Sequence, residues 1–326
     1  PALAVVAHLG ALGLGADVAS GGELATALRA GIPAERIVMT GPGKRDAELR
    51  AAVRAGGTGI RAITVESLGE LGRLETIAHD AGRRQPVMLR AAVSEAGRVE
   101  RVRLVGDDGA GKFGMDATDL IDGTRIAARS PHLALLGLHA FGASNVVDAG
   151  ALVAHVAATG RSARELAMVA GTTVRIVDAG GGLGIPYAEQ DAALDLGSLG
   201  RGLAEVAAAW ADDEILAEAR LLLEPGRFLV GPSGAYLARV VDVKTVNGTT
   251  VAVLDGGVHH VLRPALVGQE HRVRLFSLGS SGDSACTVLV TVAGPLCSGL
   301  DILAVGAVMT VPVSYTHLTL PTNREV

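Results

Sequence analysis

Three consecutive glycines, Gly180, Gly181 and Gly182, follow the run Val174-Arg-Ile-Val-Asp-Ala179. With no side chains in the way, the backbone N–H groups of such a run can close around a phosphate, and α/β barrels present loops of this kind where their strands end. A tight strand-to-helix turn needing positive φ is an equally good reading of the same residues. About forty residues on, Glu224-Pro-Gly226-Arg227 follows another apolar run and sets an acid and a base at the same rim, although a plain salt bridge would look alike. The segment Gly137-Leu-His139-Ala-Phe141-Gly-Ala-Ser144-Asn145 offers an aromatic face and a hydroxyl. Later, Gly294-Pro-Leu-Cys297-Ser298-Gly-Leu-Asp301 combines a thiol with a carboxylate, a pattern that a buried cysteine beside a turn aspartate would also give.

Such residues need a scaffold that brings strand ends together. Up to about residue 225, short apolar or β-branched runs alternate with Ala/Leu/Arg/Glu-rich stretches of helical period, as repeated βα units do. Strands are predicted near 16–19, 36–40, 62–65, 87–90, 135–138, 174–177 and 221–223, and helices over 22–30, 46–55, 68–81, 149–158 and 199–211. Seven strands are one fewer than a closed barrel, so the expected fold is a TIM-type (β/α)8 barrel over residues 1–232 that lacks its first strand. Beyond Gly231 the helical period stops, and β-runs at 236–244, 250–254, 273–277 and 287–293, separated by turn residues, predict a mainly β domain over 233–312. The last stretch, 313–326, changes composition abruptly and reads as a non-native tail. The chain opens on Pro1 inside what looks like a βα unit, so both ends read as cut.

Composition narrows the partners. The 326 residues are 49% hydrophobic, and 29 basic against 34 acidic side chains give a formal charge of -5, which favours neither nucleic acid nor an anionic membrane. A small molecule is the expected partner. No uninterrupted apolar stretch has the length of a membrane span, and no signal-peptide pattern opens the chain. Two cysteines, Cys286 and Cys297, make neither a disulfide framework nor a metal-binding pair, which points to the cytoplasm and to no metal.

Taken together with Gly15-Ala-Asp17-Val-Ala-Ser-Gly-Gly-Glu23 and Val253-Leu-Asp255-Gly-Gly257, these motifs resemble the barrel-type pyridoxal-phosphate decarboxylases of diaminopimelate, ornithine and arginine. The resemblance runs from Pro1 to about Pro312 with six motifs in order, and diaminopimelate decarboxylation in lysine biosynthesis is its generic assignment. It implies that Gly180, Gly181, Gly182, Gly226 and Arg227, helped by Ser144, hold the phosphate of pyridoxal 5'-phosphate, with Asp17 and Glu23 also on the cofactor side. It places Glu224 at the pyridine nitrogen, keeping it protonated so that the ring can accept electrons. It implies further that Cys297 returns a proton inside a head-to-tail homodimer with shared sites, and that Asp255, Arg263, Ser298 and Asp301 lie near the amino-acid substrate.

Several positions depart from the family. Its cofactor-attaching lysine belongs to a first-strand motif that would end about at Pro1, so that lysine is expected about three residues upstream; Lys44, Lys112 and Lys244 match other positions. The chain as given is then expected to be inactive. The family's late Gly-Ala-Tyr segment is likewise missing. Phe141 stands where many relatives stack a histidine, with His139 two residues earlier. Phenylalanine keeps the stacking and loses any proton transfer. Ser298 stands where diaminopimelate enzymes carry Glu and ornithine enzymes Asp, and a hydroxyl cannot grip an ammonium as they do. Arg263-Pro-Ala-Leu-Val267 keeps an arginine suited to a carboxylate and has Val where Tyr is common. The substrate is therefore expected to be another amino acid or a carrier-tethered aminoacyl group. An alanine-racemase-like enzyme and a non-catalytic regulator are the alternatives; the first needs a tyrosine as second base, and the second has no use for Glu224 and Cys297 together.

Overall fold

The computed structural model describes residues 2–92, 111–187, 191–268, 271–274, 276–277, 285–312 and 318–323. The chain divides into two compact units, residues 1–183 with 194–225, and residues 184–193 with 226–326.

In the first unit, strands β1 (Ala16–Val18), β2 (Ile37–Met39), β3 (Ala62–Val65), β4 (Gln85–Ala91), β5 (Leu133–Ala140), β6 (Ile176–Asp178) and β7 (Arg220–Leu222) form one sheet in chain order. Every pairing is parallel. Strands β2 and β3 are buried at every residue, as strands covered on both faces must be. Their side chains alternate between two layers. Ile37, Met39, Ile63, Val65 and Leu89 pack beneath the helices, while Val38, Ala62, Met88 and Ile176 fill the concave side. Asp17, on β1, feels the charge of Glu224, just past β7, so the outer edges of the sheet curl toward each other. This is the expected barrel, one strand short.

Helices α1 (Leu3–Ala11), α2 (Gly21–Arg29), α3 (Asp46–Arg54), α4 (Leu68–Asp80), α5 (Ala117–Arg129), α6 (Ala149–Ala170) and α7 (Leu196–Ala211) complete this unit. Polar side chains fix most of their starts. Ser20, Ser67, Asp116, Asp148 and Asp195 each accept a first-turn N–H of the helix that follows. The sequence reading ended α6 near Ala158; the helix continues to Ala170 through Gly160. That glycine is a packing residue, since a Cβ there would stand 2.6 Å from the Trp210 ring on α7.

The second unit holds the short helices α8 (Gly226–Val230) and α9 (Arg263–Val267) and strands β8 (Ala235–Val246), β9 (Thr249–Leu254), β10 (Arg272–Val273), β11 (Phe276–Ser277), β12 (Ala285–Ala293), β13 (Ile302–Pro312) and β14 (Leu318–Asn323). The sheet order is β10-β14-β8-β9-β12-β13, with β11 beside β14. A two-residue turn with positive φ at Asn247 and Gly248 joins β8 to β9, the geometry a tight hairpin favours. Its core is Val240, Leu254, Val290, Val292 and Leu303. Strand β13 was not expected, and β14 falls in the segment that composition set apart, pairing antiparallel with β8 from Thr319↔Arg239 to Asn323↔Ala235. Among the described residues no helix is long and apolar enough to cross a membrane.

Candidate active site

The glycine run leaves β6 where the strand ends, and the tight turn expected there is present. Gly180 and Gly182 have φ of +65° and +100°, which side chains resist. A Cβ would also collide with neighbours: 2.9 Å from the Phe141 ring at Gly180, 2.3 Å from the Glu224 carbonyl oxygen at Gly181, and 2.4 Å from the Ala143 carbonyl oxygen at Gly182. The missing side chains thus let two neighbouring loops close on this one. Glu224 N–H donates to the Gly180 carbonyl at 2.9 Å and Val146 N–H to the Gly182 carbonyl at 2.8 Å. The Gly180 N–H goes to Asp178 Oδ1 at 2.9 Å, while those of Gly181 and Gly182 meet no acceptor among the described residues.

His155 on α6 ties this loop to the next. Its Nε2 lies 3.3 Å from the Ala140 carbonyl and 3.1 Å from the Ala179 carbonyl. Both partners are acceptors, so Nε2 carries the proton. The loop bearing Phe141 and Ser144 is anchored to the glycine run through a side chain the sequence reading did not single out.

A cluster of acids lies at the same strand ends. Asp178 on β6 is fully buried, and its register partner on β5 is His139, itself paired across to Arg90 on β4. His139 Nε2 lies 3.7 Å from Glu224 Oε1, and one ligand atom each of His139, Asp178 and Glu224 fall within 4.8 Å of one another. Among the described residues, His139 Nδ1, Asp178 Oδ2 and Glu224 Oε1 have no hydrogen-bond partner. Burial, and then the Glu224 carboxylate, push the Asp178 carboxyl well above the usual carboxylate range, with the Gly180 N–H pulling weakly back.

Asp17 is pushed up as well, to about 8, by surrounding protein first and by Glu224 second. Thr40 Oγ1 opposes this by donating to its oxygens at 2.9 and 3.0 Å. The residue itself reaches solvent on β1, and water screens part of the push. Glu23 caps α2, accepting the Ala19 N–H at 2.7 Å. Two buried ion pairs brace the rim, Arg90 with Glu66 at 2.7 Å and Lys44 with Glu70 at 2.8 Å. Lys44 is thereby committed to a structural partner, as its sequence position suggested.

The second unit gathers the remaining candidates around two points. Arg227 on α8 and Arg263 on α9 lie 5.8 and 5.5 Å from the centre of the buried Tyr187 ring, which His271 meets edge-on. Gly226 has open space where a Cβ would be. At the β12–β13 turn, the Asp301 carboxylate is 2% exposed and accepts the Val258 and Leu296 N–H groups, each at 2.7 Å. A Cβ on Gly257 or Gly294 would strike it at 2.2 or 2.3 Å. Asp301 therefore fixes the frame of this turn. Cys297 stays exposed as a free thiol, and the exposed Ser298 accepts the Leu300 N–H at 3.2 Å. Asp255 accepts the Arg239 N–H at 2.8 Å.

Asp178, Thr40, His155 and Tyr187 are residues of this region that the sequence motifs do not single out. One signal was available for the first: His139 and Asp178 are polar residues that end apolar runs, where a parallel sheet has room for little but its own core.

A family model described as the pyridoxal binding domain of pyridoxal-dependent decarboxylases matches residues 1–231. The chain is 30% identical over 306 residues to a diaminopimelate decarboxylase of Neisseria meningitidis serogroup B, covering 92% of this chain and 69% of that protein. It is also 30% identical over 308 residues to an L-glutamyl-[BtrI acyl-carrier protein] decarboxylase of Niallia circulans, with 93% and 70% covered. Among solved structures, a diaminopimelate decarboxylase from Helicobacter pylori complexed with L-lysine superposes with a TM-score of 0.83 at 25% identity, covering 99% of this chain and 76% of that one.

Proposed function

The chain belongs to the pyridoxal-dependent decarboxylases, and from that premise we propose that its substrate is an amino acid without a free ammonium at its far end, an aminoacyl group on a carrier protein being the first class to test. The observation that carries this reading is Ser298, an exposed hydroxyl beside Cys297 engaged only by the Leu300 N–H. It offers no negative charge to a distal ammonium. A relative named for a carrier-bound glutamyl substrate matches this chain at the same identity as one named for diaminopimelate, which leaves both classes open to assay.

The residues present suit the cofactor. Glu224 Oε1 has no hydrogen-bond partner among the described residues, and a protonated pyridine nitrogen would satisfy it. The Gly181 and Gly182 amides are available to a phosphate, and Phe141 packs over Gly180 as a surface for an aromatic ring. When bound, the cofactor supplies the sink for the electron pair left as carbon dioxide departs. Glu224 holds the proton at the ring nitrogen. Ser144 and Arg227 are assigned to the phosphate, Arg263 and Asp255 to the substrate, and the Cys297 thiol to proton return, by resemblance alone.

Two further parts of the proposal are a homodimer and a cytoplasmic location. Support for the first is the exposed apolar side of the second unit's sheet, where Leu237, Leu289, Val305 and Val308 are each at least 65% exposed. The low cysteine count supports the second.

Carbon dioxide release by the full-length, cofactor-loaded enzyme, compared between meso-diaminopimelate and carrier-bound L-glutamate, tests the substrate. Faster release from the carrier-bound substrate is expected. Turnover of diaminopimelate at the higher rate would refute the argument from Ser298.

A further inference from the structure

We propose that Asp178 is a neutral carboxylic acid that donates its proton in a hydrogen bond to Glu224, making it a positioning residue that leaves Glu224 as the single anion of the pair. The purpose of this arrangement rests on the cofactor reading above; the proton itself is a property of the chain alone.

The geometry requires a proton somewhere between the two acids. Asp178 is fully buried, its Oδ1 is taken by the Gly180 N–H at 2.9 Å, and its Oδ2 has no donor. One of its oxygens lies within 4.8 Å of a Glu224 carboxylate oxygen, and Glu224 Oε1 also has no donor among the described residues. Carboxylate oxygens are acceptors only, so two ionised groups here would leave both orphaned and repelling each other. One proton resolves both faults. Asp178 is the better holder, because Glu224 keeps 15% of its side chain exposed and pays less to be charged.

The other groups facing this point supply no spare positive charge to an ionised Asp178. From β5 comes His139, whose buried Nδ1 has no acceptor, so a protonated imidazole would strand an N–H. From β4, Arg90 is committed to Glu66 at 2.7 Å. From β1, Asp17 adds repulsion. From α6, His155 Nε2 is engaged by the Ala140 and Ala179 carbonyls. With Glu224 anionic and Asp178 neutral, one charge opposes one ring cation.

Asp178→Asn reproduces the neutral acid, with one oxygen for Gly180 N–H and one N–H₂ for Glu224. Asp178→Ala removes both contacts. Thermal unfolding of the cofactor-free chain from pH 4.5 to 8 reads the difference. Asp178 is protonated in both states below its ordinary value near 3.8. As pH rises, the unfolded chain releases that proton and the folded chain does not, so wild type loses stability that Asp178→Asn keeps. The Tm advantage of Asp178→Asn is expected to widen with pH to several degrees at neutrality, on the order of the shift one buried titration gives. At pH 7 the carboxylic-acid C=O infrared band is expected to be weaker in the Asn variant than in wild type, the remainder belonging to Asp17, whose carboxyl is pushed up to about 8.

A flat Tm gap, or Asp178→Asn below wild type at neutral pH, would overturn the proposal by showing an anion at 178. Titration with Zn2+ alone is expected to give no tight site; binding lost in the Asn variant would replace the proton with a cation. None of these readings needs cofactor, so their failure leaves the decarboxylase reading standing. Titration with pyridoxal phosphate then tests purpose: affinity near wild type for Asn and at least about tenfold weaker for Ala is expected, and equal loss in both would refute the positioning role.

Discussion

Gly181 is a clean place to ask whether the glycine loop and Glu224 act as one piece. Its φ lies outside the left-handed range, so replacement by alanine adds a contact without adding backbone strain. The new Cβ would begin 2.3 Å from the Glu224 carbonyl oxygen, where real Cβ contacts stop near 3.0 Å. The obstacle is backbone and cannot rotate away, so the two loops must part by at least the 0.7 Å between those distances. Overpacking of this kind costs about 1–3 kcal/mol. At roughly 2–4 °C per kcal/mol, Gly181→Ala should melt about 2–12 °C below wild type. Because the Glu224 carboxylate travels with its carbonyl, decarboxylation by the full-length enzyme should fall on the order of 100-fold, the usual cost of displacing an active group by about an ångström. Gly72→Ala is the control: it lies inside α4 with nothing within 4 Å of the added Cβ, so it should be neutral or stabilising by up to about 1 kcal/mol. Parallel melts and rate measurements decide the matter. A Gly181→Ala protein that matched wild type in both would refute the idea that this contact fixes Glu224.

Two other perturbations are as direct. Lys44 and Glu70 form a buried pair at 2.8 Å with side chains 0% and 4% exposed, so Lys44→Met should destabilise by about 3–5 kcal/mol in denaturant melts, and pairing it with Glu70→Leu should recover much of that loss. Asp301→Ala should strip the buried Val258 N–H of its acceptor at about 1–3 kcal/mol and the part-buried Leu296 N–H at less, and hydrogen exchange at those two amides should accelerate while first-unit amides stay protected.

The barrel was legible because parallel strands buried on both faces leave short apolar runs, as Ile37–Met39 and Ala62–Val65 do, and because stretches of helical period alternate with them. Gly160 misled the reading: in sequence it looks like a helix end, and only the Trp210 ring on another helix explains it. Strand β13 escaped because Gly306 interrupts it with a φ of +63°, a break in the pattern that pairing with β12 overrides. In the site, Glu224 and the glycines announced themselves by following strands. Asp178 shows only that it ends an apolar run, since nothing in the order of residues reveals that its oxygen lacks a donor or that Glu224 stands near it. The local meaning of Asp301 was hidden for the same reason: its partners at 258 and 296 are set by the fold of a turn.

The turn framed by Asp301 has a consequence for how this enzyme can change over generations. Its shape is held from within, by a carboxylate gripping backbone amides, while Leu296, Cys297, Ser298 and Leu300 display their side chains outward. A substitution at Ser298 therefore alters what the turn presents without disturbing what keeps it folded. The glycine loop is the opposite case, since each of its positions is hemmed in by backbone or by an aromatic ring. Divergence among descendants should accumulate at the outward tips of the turn, where a new preference is reachable by single steps that cost little stability, while the cofactor end drifts hardly at all.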